Sequence, residues 1–261
     1  MSAVSETAFD NPLSLHARRI LVTGAASGIG RATCTLLSQL RARVVAVDVD
    51  EAGLEGLQKD LAGEGHARSC FDLEDVERIP TWMTEVALAG GPIFGVVHAA
   101  GLPCVRPLRL LTPEVYRKVL LLNTEAALAL ARGFQKKAVG DPRGGSIVFI
   151  SSVMALVGAP GAAAYSLSKA ALHGLARSLA VELAPVKIRV NCIAPGFVRT
   201  PMFERMAAQW DNVELNRVEQ AHPLGLGAPA DVANGVVFLL ADTGRWITGS
   251  VLTLDGGYSA Q

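Results

Sequence analysis

The chain has 261 residues, half of them apolar and 18% charged, and its 24 basic side chains are balanced by 24 acidic ones. That length can bury a full core, and the charge balance argues against a nucleic-acid binder or a polybasic membrane-surface protein. Cys34, Cys70, Cys104 and Cys192 stand far apart and the five histidines are equally dispersed; the pattern fits buried thiols in a reducing, cytoplasmic compartment and offers no zinc-ligand cluster.

Residues 1–18 lack the apolar run of a signal peptide and read as a loosely ordered leader ahead of a single domain spanning 19–261. From Arg19 the sequence alternates. RILVT, RVVAVD, HARSCFD, PIFGVVHAAG, GSIVFIS, KIRVNCIAP and SVLTLD are short β-rich runs. Between them lie helical patterns: GIGRATCTLLSQL, DEAGLEGLQKDLAGEG, LEDVERIPTWMTEVAL with a proline near its middle, and a long helix over 112–139 opened by Thr112 and Pro113. The uncharged stretch 86–105 is long enough for a membrane span, but its glycines and prolines make it loop, buried strand and loop. Strands apolar on both faces, each followed by a helix, predict an α/β fold with one doubly wound parallel sheet and helices on both faces.

The first strand runs into TGAASGIG. Gly24, Gly28 and Gly30 there suit a tight turn where a pyrophosphate approaches backbone N–H groups at a helix N-terminus. Asp48 closes the second strand, where a carboxylate can accept hydrogen bonds from an adenosine ribose and repel a 2′-phosphate, which predicts NAD rather than NADP. Arg31, Arg41 and Arg43 are the nearby cations that could offset it.

Tyr165 and Lys169 stand at i and i+4 on the helix after GSIVFIS, so both side chains share one face, and Ser152 at the strand's end can point at the same spot. A phenol, an ammonium and a hydroxyl so placed form a proton-transfer set. A free tyrosine, with a pKa of about 10, is about 0.1% ionised at neutral pH, so use as a base requires neighbouring positive charge.

The segment 201–227 is too long for a simple connection and reads as a substrate lid. Met202, Met206 and Trp210 lie at helical spacing in it, with Phe203 beside them. Val153, Met154 and Leu156 after the serine, and Pro103, Cys104 and Val105 after the fourth strand, complete an expected apolar pocket. No basic residue is evidently placed among them, although Arg106 and Arg205 are close in sequence. An uncharged or largely apolar alcohol or ketone is therefore expected.

TGAASGIG, the HAAG at 98–101, Asn123, Ser152, Tyr165-x-x-x-Lys169 and the APG at 194–196, in this order, resemble the short-chain dehydrogenase/reductase family over 19–258. The resemblance implies one Rossmann-type domain that interconverts secondary alcohols and ketones with a nicotinamide cofactor. It implies a catalytic set of Asn123, Ser152, Tyr165 and Lys169, in which Asn123 anchors a water linked to Lys169 and Lys169 depresses the Tyr165 pKa. Cofactor contacts are implied for Ser27, Ile29, Asp72, Leu73, Ala99, Ala100, Gly101, Tyr165, Lys169, Pro195, Gly196, Val198 and Thr200. His98 replaces the asparagine common in the family and is expected to pack or brace strands. A homotetramer is implied as well, consistent with helices around 121–130 and 169–183 that are apolar over more than one stripe. The competing readings are a 3-oxoacyl-thioester reductase, whose glycine turn often carries a basic residue where this chain has Ser27, an isomerase or lyase holding NAD, and a catalytically idle NAD-binding regulator.

Overall fold

The computed structural model describes residues 11–260. A seven-stranded, wholly parallel sheet runs β3-β2-β1-β4-β5-β6-β7, with β1 at Arg19–Thr23, β2 at Arg43–Asp48, β3 at Ala67–Cys70, β4 at Gly95–His98, β5 at Gly145–Ile150, β6 at Ile188–Pro195 and β7 at Val251–Leu254. β1, β4 and β5 are buried along their whole length, which is why they read as unbroken apolar runs. β3, on an edge, alternates between half-buried and exposed.

Helices cover both faces. On one lie α1 (Gly28–Gln39), α2 (Glu51–Asp60) and α9 (Pro229–Leu240), burying Leu37, Leu54, Leu57 and Val236 against Val22, Val44 and Val148. On the other lie α3 (Ile79–Gly90), α4 (Pro113–Leu120), α5 (Ala126–Phe134) and α6 (Ala163–Leu183). There Trp82, Leu130, Phe134 and Leu172 pack on Leu21, Val96 and Phe149. Two arginines close helix C-termini: buried Arg19 donates to Val86 O and Gly91 O behind α3, and half-buried Arg189 donates to Leu239 O, Leu240 O and Gly244 O behind α9. Strand order reverses between β1 and β4, so the cleft of a doubly wound sheet opens at the C-terminal ends of β1, β4 and β5.

Several details depart from the sequence expectations. Residues 11–18 of the leader are docked: Leu15 is fully buried, its N–H meets Leu40 O at 3.2 Å, and Ala17 N–H meets Arg41 O at 3.1 Å. Residues 1–10 lie outside the described part. Pro80 sits in the first turn of α3 rather than its middle, the position at which its missing N–H costs nothing. The expected long helix is interrupted by a π-helical turn at Leu121–Glu125, between α4 and α5. Thr112 has extended N-cap geometry, but its side chain makes no capping bond. The segment after β6 folds into two helices, α7 (Pro201–Ala207) and α8 (Asn212–Gln220).

Candidate active site

Gly24 leaves β1 with φ +67°, and a Cβ there would lie 2.8 Å from Ala100 N. A Cβ on Gly30 would collide with Gly24 O. The turn thus packs against the end of β4 and against its own helix only without side chains, leaving a backbone-lined cradle at the N-terminus of α1. Asp48 is fixed beside it, accepting from Ala26 N at 3.0 Å, Val49 N at 2.8 Å and Asp50 N at 3.1 Å. Arg31 is committed elsewhere: it pairs with Asp60 at 2.6 Å and donates to Ala26 O and Gly53 O. Asp72 and Leu73 follow β3, with Asp72 accepting from Glu74 N and Leu73 buried.

A buried chain of hydrogen bonds ties the first half of the sheet to the catalytic half. Thr23 Oγ1 accepts from Ala99 N and Ala100 N and lies 3.0 Å from His98 Nδ1. His98 Nε2 faces Leu122 O at 3.2 Å, and a carbonyl can only accept, so Nε2 carries the proton and Nδ1 receives the threonine hydroxyl. Burial, with the Lys169 charge second, lowers the His98 pKa to about 3 and keeps the ring neutral. The substitution for asparagine therefore braces β1 and β4 and reaches the π turn, as strand bracing requires.

Asn123, fully buried in that π turn, accepts from Leu102 N at 2.8 Å and donates to Leu102 O and Ser168 Oγ, each at 3.0 Å. Its Oδ1 and Lys169 Nζ both border Gly101, where a Cβ would be 3.0 Å from the first and 3.3 Å from the second. Ser152 follows β5, accepts from Met154 N and bonds the Tyr165 hydroxyl. Lys169, 4% exposed, donates to Ile150 O at 2.8 Å. Ser151 bridges the same two elements, donating to Lys169 O at 3.1 Å and meeting His173 Nε2 at 2.7 Å. The sequence reading did not single out Ser151 or His173, since only a folded α6 brings residue 173 back over residue 151.

One electrostatic expectation is corrected. Burial raises the Tyr165 pKa, with the Ser152 bond opposing it, so the phenol keeps its proton at neutral pH. Lys169 Nζ is 5.8 Å from the Tyr165 ring centroid and spends a bond on a carbonyl, and burial lowers its own pKa to about 8. The lysine field assumed from sequence, a full charge at about 4 Å, is outweighed by the desolvation of the phenol.

Tyr165, Lys169 and Ser152 line a cavity of about 600 Å³, also bordered by Ile29, Ala99, Gly101, Pro195, Gly196, Val198 and Thr200. Met154, Met202, Phe203, Met206 and Trp210 form much of its apolar wall, as do Val153, Pro103, Cys104 and Val105; Leu156 does not line it and is 47% exposed. Gly24, Ser27, Gly28, Gly30, Asp48, Asp72, Leu73, Ala100 and Asn123 lie outside that lining. Neither Arg106 nor Arg205 reaches the cavity. Sequence reasoning missed Phe197, Tyr258 and one face of α8, Glu214, Arg217, Val218 and Ala221, whose i, i+3, i+4, i+7 spacing was the available signal. Phe197 organises this end: its ring meets those of Phe203, Trp210, His222 and Tyr258 edge-on, and its N–H donates to His222 Nε2 at 3.1 Å.

The family model described as enoyl-(acyl carrier protein) reductase matches residues 24–259. The chain is 34% identical to the 3-oxoacyl-(acyl carrier protein) reductase FabG of Thermotoga maritima, over 94% of this chain and 99% of that one. It is 36% identical to L-xylulose reductase of Bos taurus, over 95% and 99%. Among solved structures it is similar to a provisionally assigned NAD(P)-dependent gluconate 5-dehydrogenase of Beutenbergia cavernae with NADP bound at low occupancy, with a TM-score of 0.88, 33% identity and coverage of 96% and 100%. A dehydrogenase/reductase of Sinorhizobium meliloti aligns with a TM-score of 0.83 and 31% identity, over 95% and 97%. With the seven-stranded parallel sheet and the site above, these likenesses place the chain in the short-chain dehydrogenase/reductase family of oxidoreductases.

Proposed function

We propose that this oxidoreductase interconverts a secondary alcohol and a ketone with NAD(H) in preference to NADP(H), with Tyr165 as the general acid and base. The observation that carries the reading is the convergence of Ser152, Tyr165 and Lys169 on one wall of a largely apolar cavity. Ser152 orients the carbonyl or carbinol oxygen. Tyr165, whose proton is held on by burial, is poised as the acid that a ketone oxygen needs on reduction. Lys169 holds positive charge beneath it, and Asn123 fixes the backbone of Leu102 at the floor of the site. Asn123 and Lys169, side by side at Gly101, suit a relay of the proton toward solvent.

The backbone cradle at Gly24, Ser27, Gly28, Ile29 and Gly30 fits a dinucleotide pyrophosphate, Asp48 the adenosine ribose, and Asp72 and Leu73 the adenine. Ala99 to Gly101, together with Pro195, Gly196, Val198 and Thr200, would hold the nicotinamide end. When bound, that group accepts or supplies the hydride. NADP, carried by two solved relatives, is the competing cofactor. Asp48 disfavours it here because Arg31 is tied to Asp60 and is not free to neutralise a 2′-phosphate. The domain reading follows: one catalytic unit over 19–261 with 201–227 as its lid.

The test is a screen of secondary alcohols with NAD and with NADP, following reduced nicotinamide. Tyr165→Phe should abolish nearly all turnover while leaving NAD binding by calorimetry close to intact, and retained activity would refute the assignment. The free cysteines suit a reducing cytoplasmic setting. Among the described residues no helix is long and apolar enough to cross a membrane. Leu128 on α5 and Leu167 and Val181 on α6 leave apolar surface outward, which supports assembly as a homotetramer. Light scattering at micromolar concentration should find four copies; a monomer would refute this.

A further inference from the structure

The lid end of the cavity has a chemistry that neither proton transfer nor cofactor binding uses. Of the lining side chains that carry an oxygen or a charge, Ser152, Tyr165 and Lys169 act at the carbinol, Ser151 is spent on Lys169 O and His173, and Thr200 caps α7 by accepting from Phe203 N. Glu214, Arg217 and Tyr258 remain. Glu214 and Arg217 project from the same face of α8, which also turns Val218 and Ala221 to the cavity. Among the described residues the Arg217 guanidinium has no ion pair and no hydrogen-bond acceptor, and it does not pair with Glu214; Arg199, by contrast, is held on Glu219 at 2.7 Å. Tyr258 packs its ring against Phe197 and His222.

We propose that the substrate is amphipathic: a secondary alcohol or ketone whose apolar body fills the methionine- and tryptophan-lined part of the cavity and whose far end is a monocarboxylate held by Arg217. This rests on the oxidoreductase reading of the same site. An arginine fork matches a carboxylate with two parallel N–H···O bonds, and Arg217, exposed at the cavity wall, gives up only water and no protein partner in binding it. The charged side chains of the wall are Lys169, Arg217 and Glu214, one positive charge in excess, so an anion is favoured over a cation. Glu214, one turn before Arg217, sets the limit. It lowers the attraction of the wall for any anion, and the single guanidinium beside it matches the two oxygens of one carboxylate.

The test uses three matched alcohols, 7-hydroxyoctanoate, its methyl ester and 2-octanol, assayed with NAD and with NADP, and acetoacetyl-CoA in the reducing direction. The wild-type enzyme should favour the carboxylate over the ester by about tenfold in kcat/KM, the range of one charged hydrogen-bonded contact. Arg217→Met should collapse that ratio toward one, chiefly through KM for the carboxylate. Arg217→Lys should retain part of it, and Glu214→Gln should raise it and improve acceptance of phosphate-bearing substrates. Turnover of all three alcohols at an unchanged ratio in Arg217→Met would overturn the carboxylate end and leave the oxidoreductase reading standing. So would acetoacetyl-CoA outpacing the carboxylate. Absence of turnover with either cofactor in either direction would overturn the oxidoreductase reading itself.

Discussion

Replacing Lys169 by methionine should make the protein more stable and catalytically dead. The ammonium is 4% exposed, and burial brings its pKa from 10.5 to about 8. At 1.36 kcal/mol per unit, a shift of that size means the folded state bears a penalty of about 3 kcal/mol for holding the charge at neutral pH. Methionine fills the place of the stem without the charge, but it leaves Ile150 O without the donor now at 2.8 Å, a loss of about 1 kcal/mol. The net gain is about 2 kcal/mol, or about 4 °C in Tm for a chain of this size. The pH dependence follows from linkage. The pKa is lower in the folded chain, so between about 8 and 10.5 the unfolded chain binds more protons, and raising pH through that window stabilises the wild type. At pH 9.5 the wild-type penalty has fallen to about 1.5 kcal/mol, and the variant's advantage should almost vanish. Thermal and urea unfolding of the ligand-free proteins at pH 7 and 9.5 read this directly. A Lys169→Met protein that is less stable than wild type at pH 7, or equally advantaged at both pH values, would refute the reasoning.

Asp48→Ser should shift the ratio of kcat/KM for NADP over NAD by ten- to a hundredfold toward NADP, the effect of removing about 1–3 kcal/mol of partly screened repulsion; steady-state kinetics with both cofactors decide it, and an unchanged ratio would show that the carboxylate does not face the ribose. His98 is buried neutral with its pKa lowered to about 3, so the unfolded chain takes up a proton first as pH falls below about 6.5, and stability should drop by about 2 kcal/mol between pH 7 and 5. His98→Asn should flatten that part of the urea-derived stability profile, and a profile with the wild-type slope would remove His98 as its source.

What could be read from the sequence was whatever depended on local spacing. Tyr165 and Lys169 stay together because an α-helix fixes i and i+4, and the glycine turn between β1 and α1 is confined to a few residues. The parallel, doubly wound sheet followed from alternation, since parallel neighbours need a crossover between them. The missed features are set by the tertiary fold. Leu15 reads as leader but is fully buried, with its N–H on Leu40 O at the C-terminal end of α1. β3, by contrast, was legible as a strand despite its polarity; it lies on an edge, where pairing rather than burial defines it. Arg217 stays exposed but borders the cavity only because α8 folds over its mouth, and the raised Tyr165 pKa depends on a desolvation that sequence distance does not encode.

The π turn at Leu121–Glu125 absorbs one residue without turning the helix that follows it. Deleting a residue there would restore regular winding and leave α5 on its present face, while Asn123 would lose the wide turn that aims it at the backbone of Leu102. The same deletion early in α5 has no wide turn to absorb it and would rotate the rest of the helix by about 100°. Arg132 would then take the place of Ala131, now 1% exposed, and Phe134 would fall where Gly133 allows only a hydrogen, since even a Cβ at that point would lie 2.6 Å from Met83 Sδ. A deletion in the π turn would thus unseat the polar site and spare the packing of α5 against α3, whereas one in α5 would undo that packing.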